Sequence, residues 1–338
     1  MQIYKQIFRG SLLKRARSDK VEDIRFYDFE FNLLAVHNDF ISANWQIYFN
    51  AIGQFEAHFS NESEIVKLVT DKQYIVAVQG DKSAIIVGWQ SAEDFAVFGR
   101  TCNWILSKRV LPAFETKTGK AEDIANQMVE GVFNDALLVE VKNNKQSQKT
   151  VEITQNDYRL LSDAVIDCLE LSNLGHHVLF DTKQKKWVFS VIHPKELLNV
   201  ISEGNRNGAE LEFSSDCIEW CSGGWYLQEQ EKEENGSIPD SVWMLKETGT
   251  LTGIYRWESL LSASNETEAV KELEKKIIKN SAKALAVDFS WHTDYELGDR
   301  VKIKIEKAGF EKTALMRIVG VHLWYEENDV GEQPIMKE

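Results

Sequence analysis

The sequence predicts an α+β fold rich in β structure, in which two β domains of barrel or sandwich type flank a middle domain of helices and a hairpin. Two observations lead to this prediction. Apolar and polar residues alternate near both ends of the chain, as in residues 43–49 and 301–305, which indicates strands with one buried face. In the middle, as in residues 161–169, apolar residues recur at every fourth position, which indicates helices.

The N-terminal β domain is predicted to cover residues 21–115. Alternating patterns predict its strands, at residues 24–28, 43–49, 55–59, 74–78, 84–89 and 95–99. Gly53 interrupts the alternation and predicts a bulge or turn, because glycine accepts a positive φ. The polar residues that follow Pro112 mark the end of the domain.

Two short helices are predicted within this first domain. One covers residues 62–69, with Asn61 or Ser60 as its cap. The other covers residues 101–109 and carries apolar side chains. Both are short enough to lie against a sheet rather than to form a layer of their own.

The middle domain is predicted to cover residues 116–240. Its first helix covers residues 121–133, and its second follows a cap at Asn156 or Asp157 and ends at Gly175. Two strands then form a hairpin, at residues 177–180 and 186–192. The rest of the domain is predicted to be a loop region over residues 205–236, including the acidic run at 229–234.

The C-terminal domain is predicted to cover residues 241–338. Asn265 and Glu268 resemble a capping box and predict the start of a helix. Alternation predicts its strands, at residues 287–291, 301–305 and 315–325, the last of which is expected to be the final strand.

Charge is distributed unevenly along the 338 residues. With 39 Lys and Arg against 53 Asp and Glu, the net charge is −14. The first 20 residues form a basic arm with six basic residues against Asp19, a net charge of +5, which leaves −19 for the rest. Such an arm can bind nucleic acid, lie on a neighbouring acidic subunit or remain solvated. Its interface candidates are Lys5, Arg9, Lys14, Arg15 and Arg17.

Motifs of enzymes and metal sites are absent from the sequence. It contains no phosphate-binding glycine loop, no H-E-x-x-H and no G-x-S-x-G. His176 and His177 are adjacent on a predicted strand and point to opposite faces, and Cys217 and Cys221 have no second pair to complete a zinc set. We therefore predict no catalytic, cofactor-binding or metal-binding residues, although a pair of acidic residues for sugar hydrolysis cannot be recognised from spacing alone.

Membrane insertion and export are also not predicted. The sequence has no run of about 18 apolar residues and no signal-peptide core at its start. The four cysteines fit free thiols in a reducing compartment. The acidic body argues against broad binding of nucleic acid, because phosphates require clustered Lys and Arg.

The sequence contains ten tryptophans, which can stack on sugars or pack in cores and interfaces. Most lie in apolar periodic segments, where core packing explains them. Trp220, Trp225 and Trp243 lie outside clear strands, and we predict that they lie at an interface.

Several segments, taken in order, resemble a known family. Residues 24–34 are similar to a strand that ends in a D-x-x-x-x-L turn, and residues 45–59 to a W-x-x-x-x-x-x-x-G-x-F pattern. Phe98-Gly99-Arg100 before a helix, the helix–glycine–hairpin unit at 156–192 and the Y-x-L-G-D-x-V motif at 295–301 follow. This order resembles the tail-hub proteins of siphophages, related prophages and phage-tail-like particles of Gram-positive bacteria.

The resemblance implies a structural, non-enzymatic component of the distal tail or baseplate, assembled in the bacterial cytoplasm. It implies a homotrimer with two tube-like β domains per chain, which join a sixfold tail tube to a threefold spike or tip. The implied partners are the tail tube or distal tail protein, the spike or tip protein and the tape-measure protein, while DNA passes without specific binding. A tail-associated peptidoglycan hydrolase and a host-glycan-binding module remain alternatives. Whether the tail is contractile, and whether it belongs to a phage or a bacteriocin particle, stays open.

Overall fold

A computed structural model describes residues 22–133, 139–142, 149–202, 204–205, 208–228, 241–248, 256–276, 279–286, 289–307, 309–326 and 329–337. Strands dominate this part of the chain, accompanied by four α-helices and one 3-10 helix. The predicted β-rich α+β class is confirmed. Within these ranges no helix combines the length and apolarity needed to cross a bilayer.

The strands and helices of the described residues are numbered in chain order. The strands up to residue 120 are β1 (Ile24–Asp28), β2 (Leu33–His37), β3 (Ser42–Tyr48), β4 (Gln54–Phe59), β5 (Ile75–Gln79), β6 (Lys82–Ser91), β7 (Phe95–Thr101), β8 (Val110–Leu111) and β9 (Phe114–Lys120). Those up to residue 216 are β10 (Val139–Lys142), β11 (Thr150–Gln155), β12 (Arg159–Leu160), β13 (Gly175–Asp181), β14 (Lys186–Ile192), β15 (Glu196–Ser202) and β16 (Gly208–Asp216).

The last strands and the helices complete the set. The strands are β17 (Gly223–Gln228), β18 (Val242–Glu247), β19 (Glu258–Leu260), β20 (Lys279–Ala286), β21 (Arg300–Lys307), β22 (Phe310–Glu326) and β23 (Asp329–Lys337). The helices are α1 (Glu64–Asp71), the 3-10 helix (Cys102–Lys108), α2 (Ala121–Val132), α3 (Leu161–Glu170) and α4 (Glu266–Leu273).

Strands from both ends of the chain form one sheet of 13 strands. Its order is β16-β20-β23-β22-β3-β4-β7-β6-β5-β1-β2, with β21 beside β22 and β15 beside β21. β3 and β22 are antiparallel neighbours, with Trp45 opposite Leu323. We call the pairing of β3 with β22 the seam, because it joins the N-terminal strands to the C-terminal ones.

The main core covers one face of this sheet and draws on both ends of the chain. Trp45, Phe55 and Phe59 contribute from the N-terminal strands, and Val301 and Val321 from the C-terminal ones. These side chains are fully or almost fully buried. The prediction that these strands have one buried apolar face is therefore confirmed at these positions.

The middle unit, which we define as α2, α3 and the hairpin of β13 and β14, packs on the opposite face of the same sheet. Phe26 of β1 belongs to the main core, while its neighbour Tyr27 packs with the middle unit, as expected for successive strand residues. Met128 of α2 and Trp187 of β14 belong to the same second core as Tyr27. The predicted helices at 121–133 and 161–169 and the hairpin after them are confirmed.

Gly53 lies in a turn, as predicted, but the reason for its glycine differs. Its backbone is not in the left-handed region. A Cβ atom there would collide with the Gln46 carbonyl oxygen and lie 2.6 Å from the Thr101 methyl carbon. Close approach of neighbouring chain segments, rather than positive φ, therefore requires glycine.

The predicted caps of the first helix were wrong. α1 begins at Glu64 with Ser63 as its N-cap, and no side chain there accepts a capping hydrogen bond. The Asn61 side-chain amide instead donates to the Ala92 carbonyl (3.1 Å), which fixes the loop between β6 and β7. The Asn61 side chain therefore bonds to a residue that is distant in sequence and does not cap the helix.

The predicted ends of the second long helix were also wrong. α3 begins only at Leu161, because residues 159–160 pair with β8 as β12. Asn173, with φ of 55°, supplies the left-handed residue after the helix, and the Leu174 amide donates to the Leu169 carbonyl (3.0 Å). Gly175 already begins β13.

Several strands lie where the sequence predicts loops or ends. The polar stretch after Pro112 contains β9, which pairs with β11. The predicted loop region at 205–236 contains β16 and β17. These polar segments form strands because they pair with strands elsewhere in the chain, and their local sequence pattern does not indicate this pairing.

The C-terminal strands also differ in position. A strand is predicted at residues 287–291, but residues 289–291 do not form one. Residues 287–288 lie outside the described residues. β20 lies just before them, at 279–286. β22 is longer than predicted and is followed by β23, so it is not the final strand.

Candidate functional site

The seam carries a polar surface on the side of the sheet that faces away from the main core. Gln54, Gln46, His322 and Gln333 lie directly opposite one another across β4, β3, β22 and β23. In the next row Glu56 lies opposite Asn44 and Asn44 lies opposite Trp324, and in a further row His58 lies opposite Ser42. We call this surface the seam face; its residues are Ser42, Asn44, Gln46, Tyr48, Gln54, Glu56, His58, His322, Trp324 and Gln333.

Two aromatic rings of the seam face lie over glycines. Gly320 is opposite Tyr48, and a Cβ at Gly320 would lie 2.6 Å from the Tyr48 ring. Gly331 is opposite Trp324, and a Cβ there would also meet the ring. The Tyr48 hydroxyl donates to Gln46 Oε1 (2.9 Å). The rings are thus held low against the sheet rather than projecting from it.

Charges on the seam face are mostly compensated. His58 bridges two carboxylates, with Nε2 2.7 Å from Glu56 Oε1 and Nδ1 2.9 Å from Asp94 Oδ2. Burial lowers the pKa of His58, but the hydrogen bonds to Glu56 and Asp94 raise it by more, so the net shift is upward. Arg100 on β7 lies opposite Gln54 at the edge of the face. A surface of amides, hydroxyls and paired charges offers phosphate groups few cationic partners.

A second ion-paired histidine connects distant parts of the chain. His292 Nε2 lies 2.8 Å from Asp81 Oδ2, in the turn between β5 and β6, and Nδ1 lies 3.0 Å from Glu296 Oε2. Hydrogen bonds to Asp81 and Glu296 raise the pKa of His292 to about 9. Burial raises the pKa of Asp81, but His292 and Lys82 lower it to about 2 overall. No local sequence pattern marks this cluster, because its members are far apart in the chain.

A small separate unit, which we call the lobe, covers the described residues 217–228, 241–248 and 256–276 and contains β17, β18, β19 and α4. It lies in sequence between β16 and β20, which pair with each other in the main sheet. Tyr226, Leu261 and Leu273 are buried together in its own core. The cap of α4 is confirmed, since the Glu268 amide donates to Asn265 Oδ1 (3.0 Å).

The three tryptophans predicted at an interface all lie on the lobe. Trp225 is half-buried and donates from Nε1 to Glu258 Oε1 (3.0 Å). Trp243 is 53% exposed and lies on the same face of the sheet as Trp225. Trp220 is half-buried and packs against Trp257, with ring centroids 5.8 Å apart. The structure thus brings Trp225 and Trp243 together but places Trp220 beside a different surface.

The lobe also exposes apolar side chains that are not among the predicted interface residues. The most exposed are Ile218, Trp257 and Leu260. The other predicted interface residues belong to the basic arm. Lys5, Arg9, Lys14, Arg15 and Arg17 lie outside the described residues.

Comparison with solved structures identifies this arrangement as a tail-protein fold. Prophage tail protein gp18 from Listeria monocytogenes EGD-e is 11% identical, with a TM-score of 0.53 over 94% of each chain. The tail protein from Neisseria meningitidis MC58 is 13% identical, with a TM-score of 0.55 over 94% of this chain and 97% of that one. The 43 kDa tail protein of prophage MuSo2 from Shewanella oneidensis is 13% identical, with a TM-score of 0.56 over 94% and 98%.

Comparison at the level of sequence gives the family. The model of the siphovirus ReqiPepy6 Gp37-like proteins matches residues 23–216, more than half of the chain. The chain therefore belongs to the siphovirus ReqiPepy6 Gp37-like family, and the predicted resemblance to siphophage tail proteins is confirmed. Comparison with curated proteins finds no match. The matched segment ends at Asp216, immediately before the lobe begins.

Proposed function

We propose that the protein is a structural hub of a phage tail or phage-tail-like particle, which joins the sixfold tail tube to a threefold spike or tip. The observation that carries this proposal is the seam. It makes one continuous sheet from strands at both ends of the chain, so a single subunit presents two groups of strands side by side. Three such subunits in a ring would present six groups, which matches a sixfold tube above and a threefold tip below.

The seam face is proposed to line the passage through this ring. Its amides, hydroxyls and flat-lying rings give a smooth polar wall, and its charges are largely paired. DNA slides past such a wall because phosphates bind tightly only where several Lys or Arg are clustered. The net charge of −14 acts in the same direction, since it repels phosphate at longer range.

Neighbouring copies are proposed to meet along β2, at one end of the main sheet. β2 stands last in the strand order, and an open strand edge favours pairing with another chain. Leu33 and Val36 on β2 are about half exposed, which provides apolar area for such a contact. The basic arm, with its net charge of +5, is proposed to lie on an acidic neighbour.

The proposed partners are the tail tube or distal tail protein, the tape-measure protein and the spike or tip protein. The proposed location is the distal tail or baseplate of the particle, with assembly in the bacterial cytoplasm. The role is structural and includes no catalytic step.

The oligomeric state tests the proposal directly. We expect the purified full chain to form a trimer by sedimentation and a threefold ring by negative-stain electron microscopy, either alone or with its tail partner. A chain that stays monomeric within assembled tails, or a ring of another symmetry, would contradict the proposal. Deletion of residues 1–20 should weaken trimer formation, and an unchanged trimer would show that the arm is only solvated.

A further inference from the structure

The lobe contains a groove of about 710 Å³, within the size range of small-ligand sites. The groove runs beside β19 at the edge of the lobe sheet, between residues 218–221 and the end of α4. It lies outside the segment that matches the family model. The proposed hub role does not use this groove, so its function requires a separate explanation.

Two tryptophans form an aromatic wall along the groove. The Trp257 side chain is 51% exposed, and its ring meets that of Trp220 at an interplanar angle of 53°. The backbone of Trp257 is fixed, because its amide donates to Ser222 Oγ (3.0 Å) and its carbonyl accepts from the Ser222 amide (2.8 Å). An indole face held open on a fixed backbone is well suited to stacking with a flat apolar surface of a ligand.

Two carboxylates in the groove are held in place by hydrogen bonds. Glu258 Oε1 accepts from Arg256 (2.6 Å) and from Trp225 Nε1 (3.0 Å), and the Arg256 bond contributes most to a lowered pKa of Glu258. Glu272 Oε2 accepts from the Ser262 amide (2.9 Å). Each carboxylate is thus fixed through one of its two oxygens. Ionised carboxylates only accept hydrogen bonds, so these groups select ligands that donate.

The charge of the groove narrows the class of ligand further. Three acidic side chains and two basic ones line it, namely Glu219, Glu258, Glu272, Lys275 and Lys276. Arg256 offsets the third carboxylate through its ion pair with Glu258. A groove in which acidic and basic charges balance does not favour a phosphate group. It also does not favour a quaternary ammonium group, because an aromatic cage binds such a cation best when the cage carries excess negative charge.

We propose that this groove binds an uncharged oligosaccharide. An apolar C–H face of a sugar ring stacks on Trp257 and Trp220. Ring hydroxyls donate to the carboxylates of Glu258 and Glu272, and the Lys275 ammonium donates to a hydroxyl oxygen. A hub protein with such a groove would contact a surface polysaccharide of the cell at the end of the tail.

The test is calorimetric binding of the full-length protein to soluble oligosaccharide probes. The probes are hexamers of glucose, galactose and N-acetylglucosamine, with phosphocholine and a basic peptide as comparison ligands. We expect one of the uncharged hexamers to bind, and Trp257→Ala and Glu272→Gln each to weaken that binding by about tenfold or more. Trp243→Ala, an equally exposed tryptophan of the lobe that does not line the groove, should bind like the parent chain.

Several outcomes would overturn the proposal. These are no binding of any uncharged hexamer, binding that survives Trp257→Ala, equal loss in Trp243→Ala, and binding of phosphocholine or the peptide in this groove instead. Unchanged thermal unfolding of each variant establishes that it is folded. Because the assay needs no ring and the trimer measurement needs no sugar, failure of either proposal is distinguishable from failure of the other.

Discussion

Gln46 on β3 and His322 on β22 lie directly opposite each other, although they come from opposite ends of the chain. Their pairing places the polar sides of the two strands on one surface, the seam face. Burial lowers the pKa of His322, so this side chain is a neutral polar group at physiological pH. The seam therefore produces both the continuous sheet and the character of the surface that we propose lines the passage.

Added positive charge on the seam face should make the passage retain DNA. We expect Gln46→Lys combined with Gln54→Lys to slow DNA ejection from assembled tails, or to give the purified ring DNA affinity that falls steeply with salt, because clustered ammonium groups bind phosphates. Gln184→Lys, in the exposed turn between β13 and β14, is the matched control and should change neither. Equal behaviour of the seam variant and the control would mean that the seam face does not meet DNA.

Replacement of Gly53 should be costly. In Gly53→Ala the added methyl group meets the backbone of Gln46, which cannot move without disturbing β3. We expect a loss of about 2–3 kcal/mol in the free energy of unfolding, measured by denaturant titration. In Gly131→Ala, on α2, nothing lies within 4 Å of the added atom, and we expect a gain of about 0.5–1 kcal/mol. A Gly53→Ala variant as stable as the parent would refute the steric explanation.

The His292 cluster should make stability depend on alkaline pH. The folded-state pKa of His292, about 9, lies above the ordinary histidine pKa of 6.5, so the stabilisation from its ion pairs is fully present below pH 6.5 and is lost as the pH rises through 9. The side chain is partly exposed, so we expect a contribution on the order of 1 kcal/mol. His292→Asn keeps a residue that tolerates the positive φ but removes the charge.

Urea titrations at several pH values measure this effect. Between pH 6 and pH 10 the parent chain should lose more stability than His292→Asn. Asp81→Asn should reduce the pH dependence in the same way, and the double variant should add little, because the two residues share one interaction. Parallel pH profiles for the parent and His292→Asn would rule out the ion pair as a source of stability.

Asn50 should couple the main sheet to the middle unit. Its side-chain amide donates to the Leu174 carbonyl (3.0 Å), and its Oδ1 accepts from the His176 amide (3.1 Å). Burial, the largest cause, lowers the pKa of His176 to about 3, so its ring stays neutral beside this bond. Asn50→Ala leaves two buried backbone groups without partners, and we expect a loss of about 2–4 kcal/mol in denaturant unfolding.

Asn50→Gly separates the hydrogen bonds from the backbone strain. Asn50 has a φ of 51°, which glycine adopts without cost. If the hydrogen bonds dominate, the Gly variant should remain clearly destabilised. Recovery of the parent stability in Asn50→Gly would assign the effect to the backbone alone.

The fold was predictable from sequence where large apolar residues alternate, as in β3 and β21, because burial of one face leaves a local pattern. β20 and β23 were not predicted, because their lysines and Pro334 interrupt the alternation of apolar and polar residues. These segments are strands because they pair with neighbouring strands. The seam itself could not be predicted, because no local pattern records which strand pairs with which.

The same limit applies to the functional surfaces. Trp220 could be singled out as a tryptophan outside the strands, whereas Trp257 and Glu258 gained meaning only beside it in the groove. His292 and Asp81 likewise meet only in the folded chain. A sequence identifies single residues of an uncommon type, but it does not identify the residues that they contact in the folded chain.

A cryo-electron microscopy reconstruction of the assembled particle at the level of this protein tests the central proposal most directly. We expect a ring of three chains in which the side chains of Gln46 and His322 face the central passage. A ring of any other symmetry, or a seam face packed against a neighbouring protein and away from the passage, would contradict the proposal.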